Sequence, residues 1–281
     1  METPGLADRA ARGDDKLSEV LLAIPFGLAI GVAVGMLGGG GSVLAVPVLV
    51  YVLDQDVSQA TTTSLVIVAA AAIAGGLGHA RAGRVCWRHA GTFTAAALPG
   101  IVLGTLAGEA VGGTLLLVAF AVVMLAAAHA TWQRAGEHEA HGTWEGGSAC
   151  PPLRLPRDLI AGAAVGFLTG FFGVGGGFLI VPTLAIALAF TMRTAVGTSL
   201  AIITATALIG LVAHLLAGRD LDPGVTGAMT AACVAGALAG AALASRVPQR
   251  TLGRGFALLV TAVAAYLLVS AAFLGGPPGT S

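Results

Sequence analysis

Long blocks of apolar residues, separated by short polar stretches, follow one another along the chain. A bilayer core about 30 Å thick takes roughly 20 apolar helical residues per crossing. Blocks of about this length predict eight membrane-spanning helices, at residues 18–37, 58–79, 90–108, 114–132, 158–172, 195–217, 225–244 and 256–275. The pattern therefore predicts an all-α polytopic membrane protein.

Two shorter apolar stretches, 38–54 and 173–190, follow the first and the fifth of these blocks. Each begins with a glycine cluster, and glycine is roughly 1 kcal/mol less favourable than alanine inside a helix. We therefore expect a break in each stretch, followed by a short broken or re-entrant helix that starts at about Ser42 or Gly177. The apolar part is too short to span the bilayer comfortably. Each short helix carries a proline in its second turn, Pro47 or Pro182.

The second half of the chain repeats residue types of the first half in register. A constant offset in residue number carries the first glycine cluster onto the second and pairs His79 with His214. From Gly91 onward the offset is larger by a single residue, so that Gly91 pairs with Gly227. This register predicts an internal duplication in which each repeat has about four membrane-spanning helices and one short glycine-led helix. The predicted domains are a polar tail at 1–17, membrane repeat 1 at 18–132, a polar linker at 133–157, membrane repeat 2 at 158–275 and a C-terminal tail at 276–281.

Arginines in short loops predict how the repeats are oriented, because such loops stay in the cytoplasm. Three arginines follow the block 58–79 in the first half, whereas three follow the block 225–244 in the second half. If both loops are cytoplasmic, the repeats have opposite orientations, as in many secondary transporters. Parallel repeats would leave three arginines outside, so the pattern favours inversion. The arginines are Arg81, Arg84, Arg88, Arg246, Arg250 and Arg254.

Composition narrows the class of protein further. Charged residues make up 10% of the chain and the mean hydropathy is +0.91, whereas soluble domains carry about 25% charged residues. These values exclude a soluble enzyme, a nucleic-acid-binding protein and a disordered chain. Cys86, Cys150 and Cys233 are few and far apart, so we expect free thiols. We expect no cleavable signal peptide before the first apolar block.

The two glycine clusters are candidate sites for a small anion. A helix that starts inside the membrane has unpaired N–H groups and a positive dipole end, and glycine lets an anion approach them. We expect the clusters to meet near the membrane midplane and form one site. In the alternative interpretation, they are hinges or packing contacts without a ligand. The candidate ligands are Gly38, Gly40, Gly41, Ser42, Gly173, Gly175, Gly176 and Gly177.

Other glycines predict helix packing. Pairs spaced four residues apart allow two helix backbones to approach closely. The pairs are Gly31 and Gly35, Gly100 and Gly104, Gly166 and Gly170, and Gly236 and Gly240.

Hydroxyl and imidazole side chains occupy matching positions in the two halves. Thr63 pairs with Thr198, and Ser64 with Ser199; their hydroxyls could donate to an anion without adding charge, or could cap a helix instead. Thr61 and Thr62 have no hydroxyl counterparts and fit the capping role. Histidine titrates near neutral pH, so His79 and His214 are candidates for proton coupling; the alternative is a pair of interfacial histidines bonded to water or backbone.

The polar linker contains the sequence EHEAH, at 137–141. The histidines His138 and His141 are separated by two residues, not the three of the zinc motif HExxH. We therefore expect no metal site there, and no cofactor elsewhere. Nucleophile elbows, phosphate loops and paired acids within a crossing are not found in the sequence either, so the chain is not expected to be an enzyme.

The duplicated glycine motif resembles the sulfite exporter TauE/SafE family. The motifs are GMLGGGGSVLAVP at 35–47 and GFFGVGGGFLIVP at 170–182, each followed by a crossing that contains Thr-Ser-Leu. The resemblance covers residues 18 to about 275. It implies a multi-pass permease of the bacterial inner membrane for small sulfur-containing anions such as sulfite or sulfonates.

The predicted function is therefore a secondary transporter that moves a small anion by alternating access. An anion channel on the same glycine site and a non-transporting membrane partner protein are the alternatives. The predicted partners are the small anionic substrate, the lipid bilayer and a coupling ion such as the proton, with a homodimer as one form of assembly. Nucleic acid is not expected as a partner.

Overall fold

The computed structural model describes residues 6–53, 55–108, 113–137, 150–172, 177–216 and 223–273. These residues form ten α-helices and one short 3-10 turn, with no strand in the part described. The helices are α1 (Leu6–Leu37), α2 (Ser42–Tyr51), α3 (Val57–Arg81), α4 (Trp87–Gly108), α5 (Gly113–Glu137), α6 (Leu155–Phe172), α7 (Gly177–Ile186), α8 (Met192–Leu216), α9 (Pro223–Ala244) and α10 (Gln249–Phe273), and the turn is Gly38–Gly41. The prediction of an all-α membrane protein is confirmed.

Seven stretches of the described chain are long and apolar enough to cross a membrane, one fewer than predicted. The difference lies in the predicted block 114–132, because the apolar part of α5 that the structure describes, Val118–Gln133, is shorter. The predicted domain borders also differ from the helix ends. α1 begins within the predicted tail, and the predicted linker overlaps the end of α5 and the start of α6.

The helix bounds repeat along the chain with the two offsets found in the sequence. The offset that pairs His79 with His214 carries both ends of α2 and α3 onto those of α7 and α8. The offset that pairs Gly91 with Gly227 carries both ends of α4 and α5 onto those of α9 and α10. The packing partners correspond as well. α1 packs along α9 as α6 packs along α4, whereas α3 packs on its counterpart α8 and α5 on its counterpart α10.

The glycine pairs lie where α1 meets α9 and where α4 meets α6. A side chain at Gly31 would strike the Cys233 backbone, and one at Gly35 would strike the Ala237 backbone, four residues further along each helix. Because the residue numbers of the contacting positions increase together along both helices, α1 and α9 run parallel. Gly166 and Gly170 meet Ala97 and Ile101 in the same manner, so α6 and α4 are parallel too. The prediction that these glycines pack helices closely is confirmed.

The counterparts α3 and α8 run antiparallel. Thr62, near the start of α3, bonds to His214, near the end of α8, with 3.0 Å between Oγ1 and Nδ1. Gly197, near the start of α8, faces His79, near the end of α3, at 3.1 Å from the Cβ position to the histidine Cβ. The two helices therefore start at opposite ends of the bundle.

Apart from the arginines that belong to α1 and α5, the described arginines lie at one end of the bundle. α3 and α9 are parallel, because Thr63 contacts Thr226 near their starts and Gly78 faces Ala241 near their ends. Both helices therefore end at this side of the bundle, and α4, α6, α8 and α10 begin there. We call it the arginine end; its arginines are Arg81, Arg84, Arg88, Arg154, Arg157, Arg193, Arg246, Arg250 and Arg254.

Contacts between the loops at the arginine end agree with this assignment. Arg193, in the first turn of α8, donates to the Val247 carbonyl between α9 and α10, at 2.9 Å. Burial, followed by repulsion from Arg193, lowers the pKa of the Arg84 guanidinium in the loop between α3 and α4. The loops of the two halves are therefore neighbours here.

The expectation of free thiols is wrong for two of the three cysteines. Cys86 and Cys150 form a disulfide, whereas Cys233 is free and buried in α9. The disulfide closes a sequence separation of 64 residues. It forms because parallel α4 and α6 begin side by side, which places the segments that precede them together. Sequence spacing alone does not contain that proximity.

Candidate functional site

The first glycine cluster is the point at which the chain turns back on itself. Gly38 has a φ of +74°, in the region that glycine tolerates best. After the turn, Gly41 packs against α1, with only 2.6 Å between its Cβ position and the Val34 nitrogen. The chain then continues as α2 from Ser42, so the predicted restart and its re-entrant form are confirmed.

The starts of the two short helices meet inside the bundle. Any side chain at Gly39 would strike the Gly177 backbone, and the Cβ position of Gly177 lies 2.8 Å from the Ser42 hydroxyl. Gly177 also faces Ile203, near the middle of α8, at 3.1 Å. The two halves therefore contact each other at mid-depth. Gly173, Gly175 and Gly176 lie outside the described residues.

The electrostatic character of this meeting point is positive. α2 and α7 leave it in opposite directions, because they lead to the starts of α3 and α8, which lie at opposite ends of the bundle. Both therefore direct the positive ends of their dipoles to the same place. Gly41, which precedes α2, offers no side-chain cap. The Ser42 N–H donates to the Gly39 carbonyl, so this amide is already used.

Ser199 and Ser42 lie close to the meeting point of the short helices, but the hydroxyl hydrogens of the candidate serines are used within the chain. The Ser199 oxygen lies 2.6 Å from the Cβ position of Gly38. Ser199 donates to the Val196 carbonyl at 2.8 Å, and Ser64 donates to the Thr61 carbonyl at 2.7 Å, each three residues back. Ser42 likewise donates to Gly39, at 2.7 Å. Because a hydroxyl has one hydrogen, these serines must rotate before they can donate to an anion.

The paired threonines contact other elements than the glycine turn. Thr198 accepts a hydrogen bond from the Cys86 backbone N–H at 3.1 Å. Thr63 lies 3.4 Å from the hydroxyl of Thr226. Both threonines are buried, and both join α3 or α8 to a neighbouring segment. Of the predicted hydroxyl pairs, the structure thus brings Ser199 to the first glycine turn.

The two candidate histidines have matching places but different partners. The Nε2–H of His79 donates to the Gly35 carbonyl at 3.2 Å, three residues before the glycine turn. His214 contacts the hydroxyl of Thr62. In the other half, the position that corresponds to Thr62 is Gly197, which faces His79. Gly197 has no hydroxyl that could form the corresponding bond with His79. His79 is 1% exposed and is bonded to a backbone carbonyl, and a role for it in proton coupling stays a prediction.

Apolar side chains close the site in this conformation. Phe256 lies 3.2 Å from the Cβ position of Gly40, and Val181 lies 3.0 Å from that of Gly38. Phe178, in the first turn of α7, is buried and packs on Phe120 with 5.3 Å between ring centroids. On the side where a Cβ would point, described atoms leave no space for an anion beside these glycines. Protein atoms therefore occupy the space beside these described glycines, and we call this arrangement the closed form.

Sequence reasoning missed a buried polar couple at the arginine end. His89 in α4 and Asp158 in α6 are hydrogen-bonded through Nδ1 and Oδ1, and both are buried. They line a cavity of about 110 Å³ together with Arg154 and Arg157. The sequence did contain one signal, since the positions that correspond to Asp158 and His89 are Ala23 and Val225. A polar pair in one half, at positions where the other half has an apolar pair, is therefore the signal by which the sequence could have indicated this couple.

Comparison with known proteins gives results that agree with one another. The family model described as Sulfite exporter TauE/SafE matches residues 23–267. A probable membrane transporter protein of Xylella fastidiosa (strain 9a5c) is 34% identical over 264 residues, which cover 90% of this chain and 96% of that protein. A probable membrane transporter protein of Methanocaldococcus jannaschii, MJ0441, is 28% identical over 72% of this chain and 76% of its own length. No solved structure matches the chain.

Proposed function

The chain belongs to the sulfite exporter TauE/SafE family and is a multi-pass membrane transporter, and we propose that it carries a small sulfur oxyanion or organosulfonate by alternating access. The observation that supports this proposal most directly is the contact between Gly39 and Gly177. It places the positive ends of two half-helices together at mid-depth, where a single anion could interact with both.

The packing of the two halves supports a rocking motion. α3 and α8 run antiparallel, as counterparts do in inverted repeats, and we propose that the halves are such repeats. Small residues line the α1–α9 and α4–α6 contacts, and each contact joins one helix from either half. A site held between two inverted halves opens to alternate sides when one half tilts against the other.

Opening of the site must also change the acceptors to which the serine hydroxyls donate. In the closed form, Ser64 and Ser199 donate to carbonyls of their own helices. We infer that these hydroxyls rotate toward the anion when the glycine turn separates from its neighbours. The solute is carried chemically unchanged in this proposal.

Flux into proteoliposomes tests the proposed function. Purified protein is assayed with sulfite, sulfate, thiosulfate, a sulfonate and a carboxylate, with and without a proton gradient. We expect saturable flux of at least one sulfur-containing anion and much slower flux of the carboxylate. Gly39→Leu should abolish the flux, whereas Gly227→Leu, at an exposed position with open space around it, should retain it. A preference for carboxylates, or single-channel currents, would contradict the proposal.

A further inference from the structure

The couple formed by His89 and Asp158 lies outside the proposed anion site. His89 is 3% exposed and Asp158 is 0% exposed. The ring of Phe190 packs edge-on against His89, with 5.0 Å between ring centroids. Titratable groups in such surroundings are costly unless their charges are compensated. The stability of the couple therefore depends on which of its atoms carry protons.

The hydrogen-bond partners of His89 determine how many protons the couple holds. Nε2 lies 3.1 Å from the Pro151 carbonyl oxygen, which can only accept, so Nε2 carries a hydrogen. Nδ1 faces Oδ1 of Asp158. Either Nδ1 also carries a hydrogen and the ring is an imidazolium beside a carboxylate, or the carboxyl group carries it. In both cases the couple is neutral overall and holds one proton more than a neutral histidine beside a carboxylate.

Loss of that proton has a structural consequence. A neutral ring has one N–H, and the carboxylate attracts it to Nδ1. The lone pair of Nε2 then faces the Pro151 carbonyl oxygen, and their hydrogen bond is lost. Pro151 belongs to the segment 150–154 that leads into α6, and this segment is otherwise joined to the start of α4 by the Cys86–Cys150 disulfide. Deprotonation therefore removes the hydrogen bond that joins His89 of α4 to the segment before α6.

Arginines and uncharged residues line the cavity beside the couple. Arg154 and Arg157 line the cavity beside it and are exposed. The segment between α7 and α8 contributes the uncharged residues Leu188 and Ala189 to the cavity, and Phe190 to the ring contact. Elsewhere, Arg88 on α4 is exposed, and Arg193 on α8 donates to the Val247 carbonyl. Asp158 is thus the acidic group of this cavity, and its Oδ2 has no hydrogen-bond partner among the described residues.

We propose that His89 and Asp158 form a proton-binding site, and that release of its proton detaches Pro151 from α4 and regulates the anion transport proposed above. The regulatory part rests on the proposed function, whereas the proton site stands on geometry alone. Ala23 and Val225 occupy the counterpart positions in the α1–α9 contact, so parallel packing of this kind does not itself need a polar pair.

Two variants distinguish the effect of the bound proton from the effect of side-chain packing between α4 and α6. In Asp158→Asn, the amide can donate to Nδ1 while Nε2–H donates to Pro151, so the variant mimics the protonated couple at every pH. The double change His89→Val with Asp158→Ala installs the pair that the chain already carries in the α1–α9 contact. Because both residues are buried at the counterpart positions of the parallel helices α1 and α9, the double variant provides a second test should the single variant fold poorly. His129→Gln, at an exposed position, is the control.

Nitrogen NMR of full-length protein with labelled histidines, in lipid nanodiscs, reads the proton site directly. The His89 signals are assigned by their loss in the double variant. We expect Nε2 of His89 to lose its hydrogen in one step as pH rises, and to keep it throughout in Asp158→Asn. An Nε2 that keeps its hydrogen over the whole range in the unmodified protein, or a step that persists in Asp158→Asn, overturns the proton site.

Flux measured against pH tests the regulatory part. We expect the unmodified protein to show a step in flux at the pH of the NMR step, and both variants to lose it while His129→Gln retains it. A flux step unchanged in both variants overturns the regulation. An NMR step without flux of any anion in the unmodified protein overturns the proposed function and leaves the proton site established, so the two failures are distinguishable.

Discussion

At the scale of single residues, the site depends on what glycine lacks. Gly38 needs a positive φ, whereas Gly39 needs the absence of a Cβ, because the Gly177 backbone occupies the space. The neighbours of Gly39 are backbone atoms, which cannot move aside as the end of a flexible side chain can. Even a methyl group at Gly39 must therefore separate the starts of α2 and α7.

Gly39→Ala is expected to destabilise the protein by about 1–3 kcal/mol, the usual cost of overpacking, and to slow anion flux. Thermal unfolding of the purified protein and proteoliposome flux measure the two effects. Gly91→Ala and Gly227→Ala are matched controls, because open space surrounds both positions. These controls should retain flux and unfold at the same or a slightly higher temperature, since alanine favours the helix. Equal stability of Gly39→Ala and the controls would show that the contact is not tight.

At the scale of helices, the structure is built on close parallel pairs. In the α4–α6 contact, Gly166 meets the Ala97 backbone and Gly100 meets the Ala163 backbone. Each helix thus presents small residues to the other, and both backbones approach closely. Since lipid competes for apolar side chains, this fit supplies attraction that burial of apolar surface cannot supply in a membrane.

Gly166→Leu should force α4 and α6 apart and lower the unfolding temperature strongly. Gly91→Leu places the same side chain on an exposed part of α4, where no atom lies within 4 Å of the Cβ position. We expect this second variant to unfold at nearly the temperature of the unmodified protein. Size-exclusion profiles and thermal unfolding in detergent compare them. Similar losses in both variants would indicate that leucine acts through lipid or expression and not through the helix contact.

At the scale of the whole molecule, the arginine end sets the orientation in the membrane. Positively charged loops stay in the cytoplasm, so the loops at 82–86 and 245–248 should both face it. The Cys86–Cys150 disulfide lies at the same end, although the cytoplasm keeps most thiols reduced. Charge acts during insertion, whereas a disulfide forms afterwards, and we therefore base the orientation on the arginines.

Cysteine labelling from one side of the membrane measures this orientation. Ala82→Cys and Pro248→Cys, in a background where the native cysteines are serine and flux is retained, should react from the cytoplasmic side. Asp56→Cys, between α2 and α3, should react from the opposite side. Labelling of positions 82 and 248 from opposite sides would reject inverted repeats, and labelling of both from outside would reverse the orientation.

Much of the architecture follows from the sequence because it depends on local chemistry. Apolar blocks of membrane-spanning length require helices, and a run of glycines breaks one, so α2 and α7 start where the sequence approximately predicts them, at Ser42 and Gly177. Both offsets between the halves recur in the helix bounds, while the duplication itself stays a prediction. The family motif also lies within a single stretch of each half.

Only the tertiary structure decided which distant residues meet. The disulfide between Cys86 and Cys150 and the couple of His89 with Asp158 both depend on α4 and α6 starting side by side, and no spacing in the sequence encodes that. The use of the serine hydrogens within their own helices also needed coordinates, because a hydroxyl can face either its backbone or a ligand. Local sequence determines where helices begin and end, whereas contacts between helices depend on how the complete chain packs.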